Sequence, residues 1–140
     1  MKTLSILFFT VILTASVSQV QGQTMSVKND VLVWSVNQLL DQAQSSTSDY
    51  AAQFTTYGKN KIVWTQQNNY TNEFTIKSSS GSWDDPATIG SIQYNVSLNG
   101  KSGTITLART TAGLQITTSL IDSGNNTMPY VFYVNTVNKQ

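Results

Sequence analysis

The sequence has no cysteine and no histidine among its 140 residues. Without cysteine the chain cannot form a disulfide, carry a catalytic thiolate or bear the lipid of a lipoprotein. Without histidine it lacks the commonest general base, the commonest transition-metal ligand and any Ser-His-Asp triad. The composition therefore favours a protein that is not an enzyme, and we expect neither a metal nor a cofactor.

Charged residues are also scarce, at 11% of the chain, and no run of one sign occurs. Eight Lys and Arg stand against seven Asp and Glu, and one of the eight, Lys2, belongs to the N-terminal segment considered next. A net charge near zero provides no electrostatic attraction for nucleic acid or for an anionic membrane. We therefore expect no nucleic-acid partner.

The first 22 residues are typical of a secretory signal peptide. Lys2 supplies the positive charge, and Leu4 to Ala15 form an apolar run that is shorter than a membrane span. Val20-Gln21-Gly22 fits the small-residue cleavage pattern, and a retained membrane anchor is the alternative. We expect one domain over residues 23–140, a secreted or periplasmic location, and no membrane span after cleavage.

Apolar and polar residues alternate along most of the chain from about residue 60 onward, as in Ile92 to Leu98. This period is typical of antiparallel strands with one buried and one solvated face. Segments rich in Gly and Asn, such as Asn99–Gly103 and Asp122–Asn126, separate the alternating stretches and predict turns. We predict strands over residues 31–40, 53–57, 61–66, 73–78, 91–98, 104–109, 114–121 and 129–137.

The segment after the first strand is ambiguous. We predict a short helix near residues 47–54, with Thr47 or Ser48 as its N-cap and Tyr50, Ala51 and Phe54 facing inward. Everything else in the domain is expected to be strand or turn.

The predicted fold class is all-β, an antiparallel up-and-down meander of about eight strands that closes into a barrel. An open meander would leave two unpaired edges, and closure removes both. Eight strands enclose either packed side chains or one small ligand. Residues Tyr130 to Val137 are apolar on both faces, which suits a last strand that pairs with the first.

A resemblance to a known family supports this fold. Its features are Trp34 in the first strand, Asp41, Thr47 and Phe54 in a D-x-T-x-x-F-like segment, Tyr57, and Gly81-Ser82-Trp83 ahead of the alternating strands. In these the chain resembles the small exported lipocalin-like proteins that are common in Bacteroidetes. The resemblance implies an eight-stranded lipocalin-like barrel with a ligand cavity, and it implies no catalytic residues.

Ser80 to Pro86, with the sequence SGSWDDP, is the segment most suggestive of a site. A bulge at Gly81 would turn Trp83 inward, where its side chain would cap one end of the barrel. The alternatives are an exposed Trp83 that stacks on a sugar, and a Ca²⁺ site at Asp84 and Asp85.

Other bulky or charged residues also have the parity of inward-facing positions. Trp64, Phe74, Tyr94 and Phe132 are expected in the interior, either in a packed core or lining a cavity. Tyr94 is the best candidate for lining a cavity because a buried phenol needs a hydrogen-bond partner. Arg109 shares the parity of Leu107 and is expected at the barrel mouth, where it could contact an anionic ligand group. The alternatives are that it extends to solvent over Leu107 or pairs with an acid. The candidate ligand-binding residues are Trp64, Phe74, Trp83, Tyr94 and Arg109.

These observations predict a non-catalytic, secreted or periplasmic protein that binds a small apolar or amphipathic ligand. The alternative is an extracellular carbohydrate-binding or protein-interaction module that uses exposed aromatic residues and the outer face rich in Ser, Thr and Asn. The sequence does not indicate an oligomeric state.

Overall fold

The computed structural model describes residues 24–140. The predicted signal peptide, residues 1–22, lies outside the described residues. Eight strands follow one another in the described part. They are β1 (Val31–Asp41), β2 (Ser46–Tyr57), β3 (Lys61–Thr65), β4 (Thr71–Ser80), β5 (Gly90–Leu98), β6 (Lys101–Thr110), β7 (Gly113–Ile121) and β8 (Thr127–Lys139).

The strands form one closed antiparallel barrel in sequence order, and β8 pairs with β1. This last pairing runs from Leu32 opposite Lys139 to Asp41 opposite Tyr130. The prediction of an all-β meander of eight strands that closes on itself is confirmed.

The predicted helix near residues 47–54 is wrong, because this segment is part of β2. Tyr50, Ala52, Phe54 and Thr56 turn inward at every second position, whereas Ala51 is exposed. The buried positions therefore have the period of a strand. β2 pairs along its length with β1, with a register shift between Val36 and Gln38.

The inward-facing side chains of all eight strands form one hydrophobic core. Phe74, Tyr94, Ile105 and Ile116 belong to it, although they come from four different strands. Its largest aromatic group contains Phe54, Trp64 and Phe132. Phe54 lies parallel to Trp64 with ring centroids 5.7 Å apart, and Phe132 meets the two rings edge-on at 4.9 and 5.3 Å.

The two ends of the barrel differ, and we call them the mouth and the base. Four hairpin connections lie at the mouth: residues 42–45, 66–70, 99–100 and 122–126. The base carries the N-terminal segment 24–30 together with the connections 58–60, 81–89 and 111–112.

Candidate functional site

The N-terminal segment closes the base. Val27 is completely buried there, and its backbone N–H donates to the backbone carbonyl of Asp84 at 2.7 Å. The carboxylate of Asp84 accepts hydrogen bonds from the hydroxyl of Ser26, at 2.8 and 3.0 Å, and from the backbone N–H of Lys28, at 2.8 Å. Asp84 therefore fastens the segment across the end of the barrel.

A second fastening joins the same segment to β8. The carboxylate of Asp30 lies 2.9 Å from Nζ of Lys139 and accepts the backbone N–H of Ser26 at 2.8 Å. The hydrogen bond from Lys139, followed by that from Ser26, lowers the pKa of Asp30 below its ordinary value. The start and the end of the described chain therefore meet at the base.

Trp83 packs into the base and is only 6% exposed. Its indole N–H donates to the carbonyl of Thr88 at 2.8 Å, and its ring centroid lies 6.3 Å from that of Trp34. Gly90 makes room for the ring, because a Cβ there would lie 2.4 Å from Cδ1 of Trp83. Trp83 is therefore the cap that the sequence suggested, and it offers no exposed face for a sugar.

The predicted bulge at Gly81 is misplaced. The register of β4 against β5 shifts between Ile76 and Ser78, and Trp83 lies in the connection beyond the end of β4. Gly81 has φ of +103°, and a Cβ there would lie 2.8 Å from the carbonyl oxygen of Ser91. Glycine is needed at this position because the chain turns tightly against β5.

The carboxylates of Asp84 and Asp85 make separate hydrogen bonds. Asp84 is occupied by the N-terminal segment, whereas the carboxylate of Asp85 accepts the backbone N–H of Ala87 at 2.9 Å and shapes the turn at Pro86. No group of three or more His, Cys, Asp or Glu side chains that could hold a metal ion occurs within residues 24–140.

Arg109 also lies at the base. Its Nε donates to the carbonyl of Pro86, and this hydrogen bond ties the connection 81–89 to β6. The predicted position at the barrel mouth is wrong, because the parity of a residue along its strand does not distinguish the two ends of the barrel.

Tyr94 lies in the interior between the two ends and is 1% exposed. Its hydroxyl has no hydrogen-bond partner among the described residues, and neither has the buried hydroxyl of Thr118. Burial, with a smaller contribution from the negative charge of Asp84, raises the pKa of Tyr94 to about 12. Tyr94 therefore remains neutral at physiological pH.

The mouth contains a cavity of about 640 Å³, within the range typical of small-molecule sites. We call it the mouth cavity. Its apolar lining comes from five strands and consists of Trp64, Phe74, Val96, Leu98, Leu120, Met128 and Tyr130. Several of these side chains belong to the hydrophobic core or pack against it, so the floor of the mouth cavity is formed by the core.

The rim of the mouth cavity carries both exposed apolar and charged groups. Tyr70 and Ile121 are 61% and 40% exposed, and both line the cavity. Lys101 and Asp122 are the charged residues of the lining. Nζ of Lys101 donates to the backbone carbonyl of Asp122 and, at 3.4 Å, to Oδ1 of Asn125.

The carboxylate of Asp122 is bound within its own hairpin. It accepts the backbone N–H groups of Gly124 at 2.8 Å and Asn126 at 2.9 Å, and the side-chain amide of Asn126 at 3.3 Å. These hydrogen bonds, those from Asn126 first, lower the pKa of Asp122, and the positive charge of Lys101 adds to the effect.

Trp64 marks the boundary between the mouth cavity and the core. Its indole N–H makes no hydrogen bond in the described part of the chain. Burial raises the pKa of the neighbouring Tyr50. Tyr50 itself packs on Phe132 with ring centroids 5.9 Å apart.

The structure thus separates the five candidate residues. Trp64 and Phe74 both line the mouth cavity, Trp83 and Arg109 lie at the base, and Tyr94 is enclosed between the ends. Ligand binding by these residues stays a prediction. The sequence analysis did not name Leu98, Lys101 and Met128 as cavity-lining residues. Their positions within or next to the predicted turns indicated that they would lie near one end of the barrel.

A second concave surface lies on the outer wall, where β1, β2 and β8 are irregular in register. We call it the outer groove, and its volume is about 680 Å³. Its amide side chains are Asn37, Gln53, Gln66, Gln67, Asn69 and Asn135.

Comparisons with protein-family models, with curated proteins and with solved structures found no match to this chain. The described residues form an eight-stranded antiparallel barrel with a cluster of aromatic side chains inside. Across residues 24–140 there is no helix with the length and apolar character needed to cross a membrane.

Proposed function

We propose that the protein is a lipocalin-like binding protein that takes a small apolar or amphipathic molecule into the mouth cavity, without catalysis. The observation that carries the proposal is the asymmetry of the barrel. Val27 and Trp83 fill the base, whereas the mouth holds a cavity of about 640 Å³ with apolar walls. An apolar cavity with a few polar groups at its rim is the usual form of a small-molecule site.

The energetics favour an apolar ligand. The walls contributed by Phe74, Leu120 and Met128 face a space that the protein's own side chains leave unfilled. Removing apolar surface from water contributes about 25 cal/mol per Å². The exposed Tyr70 and Ile121 at the rim extend the apolar surface outward and would be covered by a bound molecule.

The location and the absence of catalysis belong to the same proposal. The apolar run from Leu4 to Ala15 supports export from the cytoplasm. A chain without histidine and cysteine lacks the side chains that most often act as base or nucleophile. The resemblance at Trp34 and Gly81-Ser82-Trp83 supports the lipocalin-like assignment.

Titration with Nile red, a neutral apolar dye that fluoresces strongly away from water, tests the proposal. We expect saturable binding of one dye molecule per chain. Met128→Asp places a charge in the wall of the mouth cavity, and burying that charge with an apolar ligand should weaken dye binding at least tenfold.

Ile89→Asp is the matched control. Ile89 is 69% exposed in the connection 81–89 at the base, so this substitution adds the same charge far from the mouth cavity and should leave the affinity unchanged. If the dye does not bind, or if both variants weaken it equally, the mouth cavity is not a ligand site.

The outer groove supports a second candidate function, carbohydrate binding. The side-chain amides in its lining can both donate to and accept from sugar hydroxyls. It ranks below the mouth cavity because its aromatic residue, Tyr50, packs on Phe132 in the interior and presents no free ring for stacking. The protein would be tested on a glycan array. If it binds a glycan, and if Gln53→Ala abolishes that binding while Met128→Asp preserves it, carbohydrate binding in the outer groove becomes the preferred function.

A further inference from the structure

The regular pairing between β6 and β7 ends before the mouth, and we call this place the split. The pairing runs from Thr110 opposite Gly113 only as far as Thr104 opposite Ser119. Residues 101–103 continue β6 by pairing with β5 alone, and residues 120–121 continue β7 by pairing with β8 alone. The two strands stay close at Gly103, where a Cβ would lie 2.8 Å from the carbonyl oxygen of Ser119, so the split is a loss of regular pairing and not a gap.

The split lies between the mouth cavity and the outer surface of the barrel. A groove of about 440 Å³ lies on the outer wall beside the split. This groove and the mouth cavity share four lining residues, Val96, Ser102, Gly103 and Ile121. The mouth cavity therefore extends to the edge of the barrel wall at the split.

The side chain of Lys101 spans the split. Lys101 begins β6, and its Nζ donates to the carbonyl of Asp122, immediately beyond the end of β7. Its acceptors in the described structure, this carbonyl and Oδ1 of Asn125, are both uncharged. The ion pairs within residues 24–140 involve Lys61 and Lys139, and Lys101 is in neither.

Asp122, the other charged residue at the mouth cavity, does not form an ion pair with Lys101. The carboxylate of Asp122 accepts three hydrogen bonds from Gly124 and Asn126, so its oxygens are held by the hairpin. Lys101 is thus an ammonium at the edge of an apolar cavity, bonded to two neutral oxygens. A carboxylate or another acidic group would be a stronger acceptor than either of them.

We propose that the ligand is an amphipathic anion with one apolar chain, whose acidic head is bound by Nζ of Lys101 at the split between β6 and β7. This inference rests on the proposed function, because it requires a ligand in the mouth cavity. The apolar chain lies against Phe74, Leu120 and Met128, and the head replaces the Asp122 carbonyl as the acceptor of the Lys101 hydrogen bond.

The test compares three ligands that share one chain and differ in the head: decanoate, decanol and decyltrimethylammonium. Their affinities are measured by displacement of Nile red from the wild-type protein and from Lys101→Met. We expect decanoate to bind more tightly than the ammonium compound. Lys101→Met should weaken decanoate about tenfold, the value of one charged hydrogen bond, and change decanol less than twofold.

Two variants control the charge and the fold. Lys59→Met removes an exposed lysine in the connection 58–60 at the base, and it should not change decanoate binding. Lys101→Arg keeps a positive donor at the split and should retain most of the decanoate affinity. If Lys101→Met does not fold, Lys101→Arg tests the charge of the head instead. The Lys101→Arg protein should still bind decanoate more tightly than the ammonium compound.

The results separate the two proposals. If decanol displaces the dye but Lys101→Met leaves decanoate unchanged, or weakens both ligands equally, the anionic head is excluded while the mouth cavity remains a ligand site. If the dye itself does not bind, the proposed function fails, and this inference fails with it.

Discussion

Three polar atoms inside the barrel have no hydrogen-bond partner among the described residues: Nε1 of Trp64 and the hydroxyls of Tyr94 and Thr118. Burying a hydroxyl without a partner costs about 1–3 kcal/mol. Tyr94 shows the effect most clearly, because burial also raises its pKa to about 12. Its ring supports the core, while its hydroxyl lowers the stability of the folded state.

Tyr94→Phe should therefore raise the free energy of unfolding by about 1 kcal/mol at neutral pH. The pH dependence follows from the sign of the shift. The pKa of Tyr94 is about 12 in the folded state and about 10 in an unfolded chain. As the pH rises from 10 toward 12, the unfolded chain loses this proton while the folded protein keeps it, so the free energy of unfolding of the wild type falls. The variant should lose less stability than the wild type over this interval.

Urea denaturation at pH 7 and at several values above pH 10 measures both effects. Tyr70→Phe is the control, because Tyr70 is largely exposed and its hydroxyl should contribute little. A loss of more than 1 kcal/mol in Tyr94→Phe at pH 7 would show that the hydroxyl has a partner, such as a buried water.

At the level of the elements, the connection 81–89 decides that the base is closed. Trp83 packs on Trp34, Asp84 holds the N-terminal segment, and Pro86 accepts a hydrogen bond from Arg109. One connection therefore contacts β1, β6 and the segment before β1. Its packing depends on Gly90, where β5 begins directly beneath the Trp83 ring.

Gly90→Ala should destabilise the protein by about 2–3 kcal/mol, because the added Cβ would lie 2.4 Å from Cδ1 and 2.9 Å from Cγ of Trp83. The measurement is chemical denaturation of a double-mutant cycle with Trp83→Leu. In the Trp83→Leu background the Gly90→Ala cost should largely disappear, since the smaller side chain leaves room.

Gly124→Ala is the control for the double-mutant cycle of Gly90→Ala and Trp83→Leu. Gly124 is exposed in the β7–β8 hairpin, and the nearest atom to an added Cβ is 3.0 Å away, in the flexible Asn126 side chain. If Gly90→Ala lowers the free energy of unfolding by the same amount with and without Trp83→Leu, contact with the Trp83 ring is not the reason that glycine is needed at residue 90.

The accuracy of the sequence-based prediction differs between elements. The strands with unbroken alternation, such as residues 91–98 and 114–121, lie within one residue of their observed bounds. β2 was the failure: its buried residues alternate only from Tyr50 to Thr56, and the four residues before them, Ser46 to Asp49, are exposed and polar and give no strand pattern. Pairing with β1 makes this segment a strand, and a pattern of neighbouring residues in the sequence does not show such long-range pairing.

At the level of the whole molecule, the β1–β8 ladder converts the meander into a barrel. Leu32 to Asp41 pair with Lys139 to Tyr130, and the ladder continues to the backbone hydrogen bond from Gln140 to Val31 at 3.0 Å. Without this ladder both outer strands would be unpaired edges. Closure also brings Lys139 to Asp30, and so connects the end of β8 to the segment that fills the base.

Deletion of residues 136–140 removes the base half of this ladder, including the pairing of Trp34 with Val137. At about 1 kcal/mol for each lost hydrogen bond, the free energy of unfolding should fall by roughly 3–5 kcal/mol. Urea denaturation followed by tryptophan fluorescence measures the change.

Lys139→Ala separates closure from the ion pair. It removes only the contact with Asp30, and a pair at the surface contributes about 0–1 kcal/mol. Closure by β8 would be unimportant for stability if the deletion and the single substitution had the same small effect.

Alternation of apolar and polar residues predicted most of the strands and most of the buried side chains, because burial on one face of a strand requires an apolar residue at every second position. Closure into a barrel was predicted from the two unpaired edges that an open meander would leave. Residues far apart in the chain decide which end is filled and which is open. Ser26 reaches Asp84, Arg109 reaches Pro86, and Lys101 reaches Asp122. Such contacts depend on strand register and loop packing, so only the folded barrel shows that Trp83 closes the base and that Trp64 and Phe74 line a cavity at the mouth.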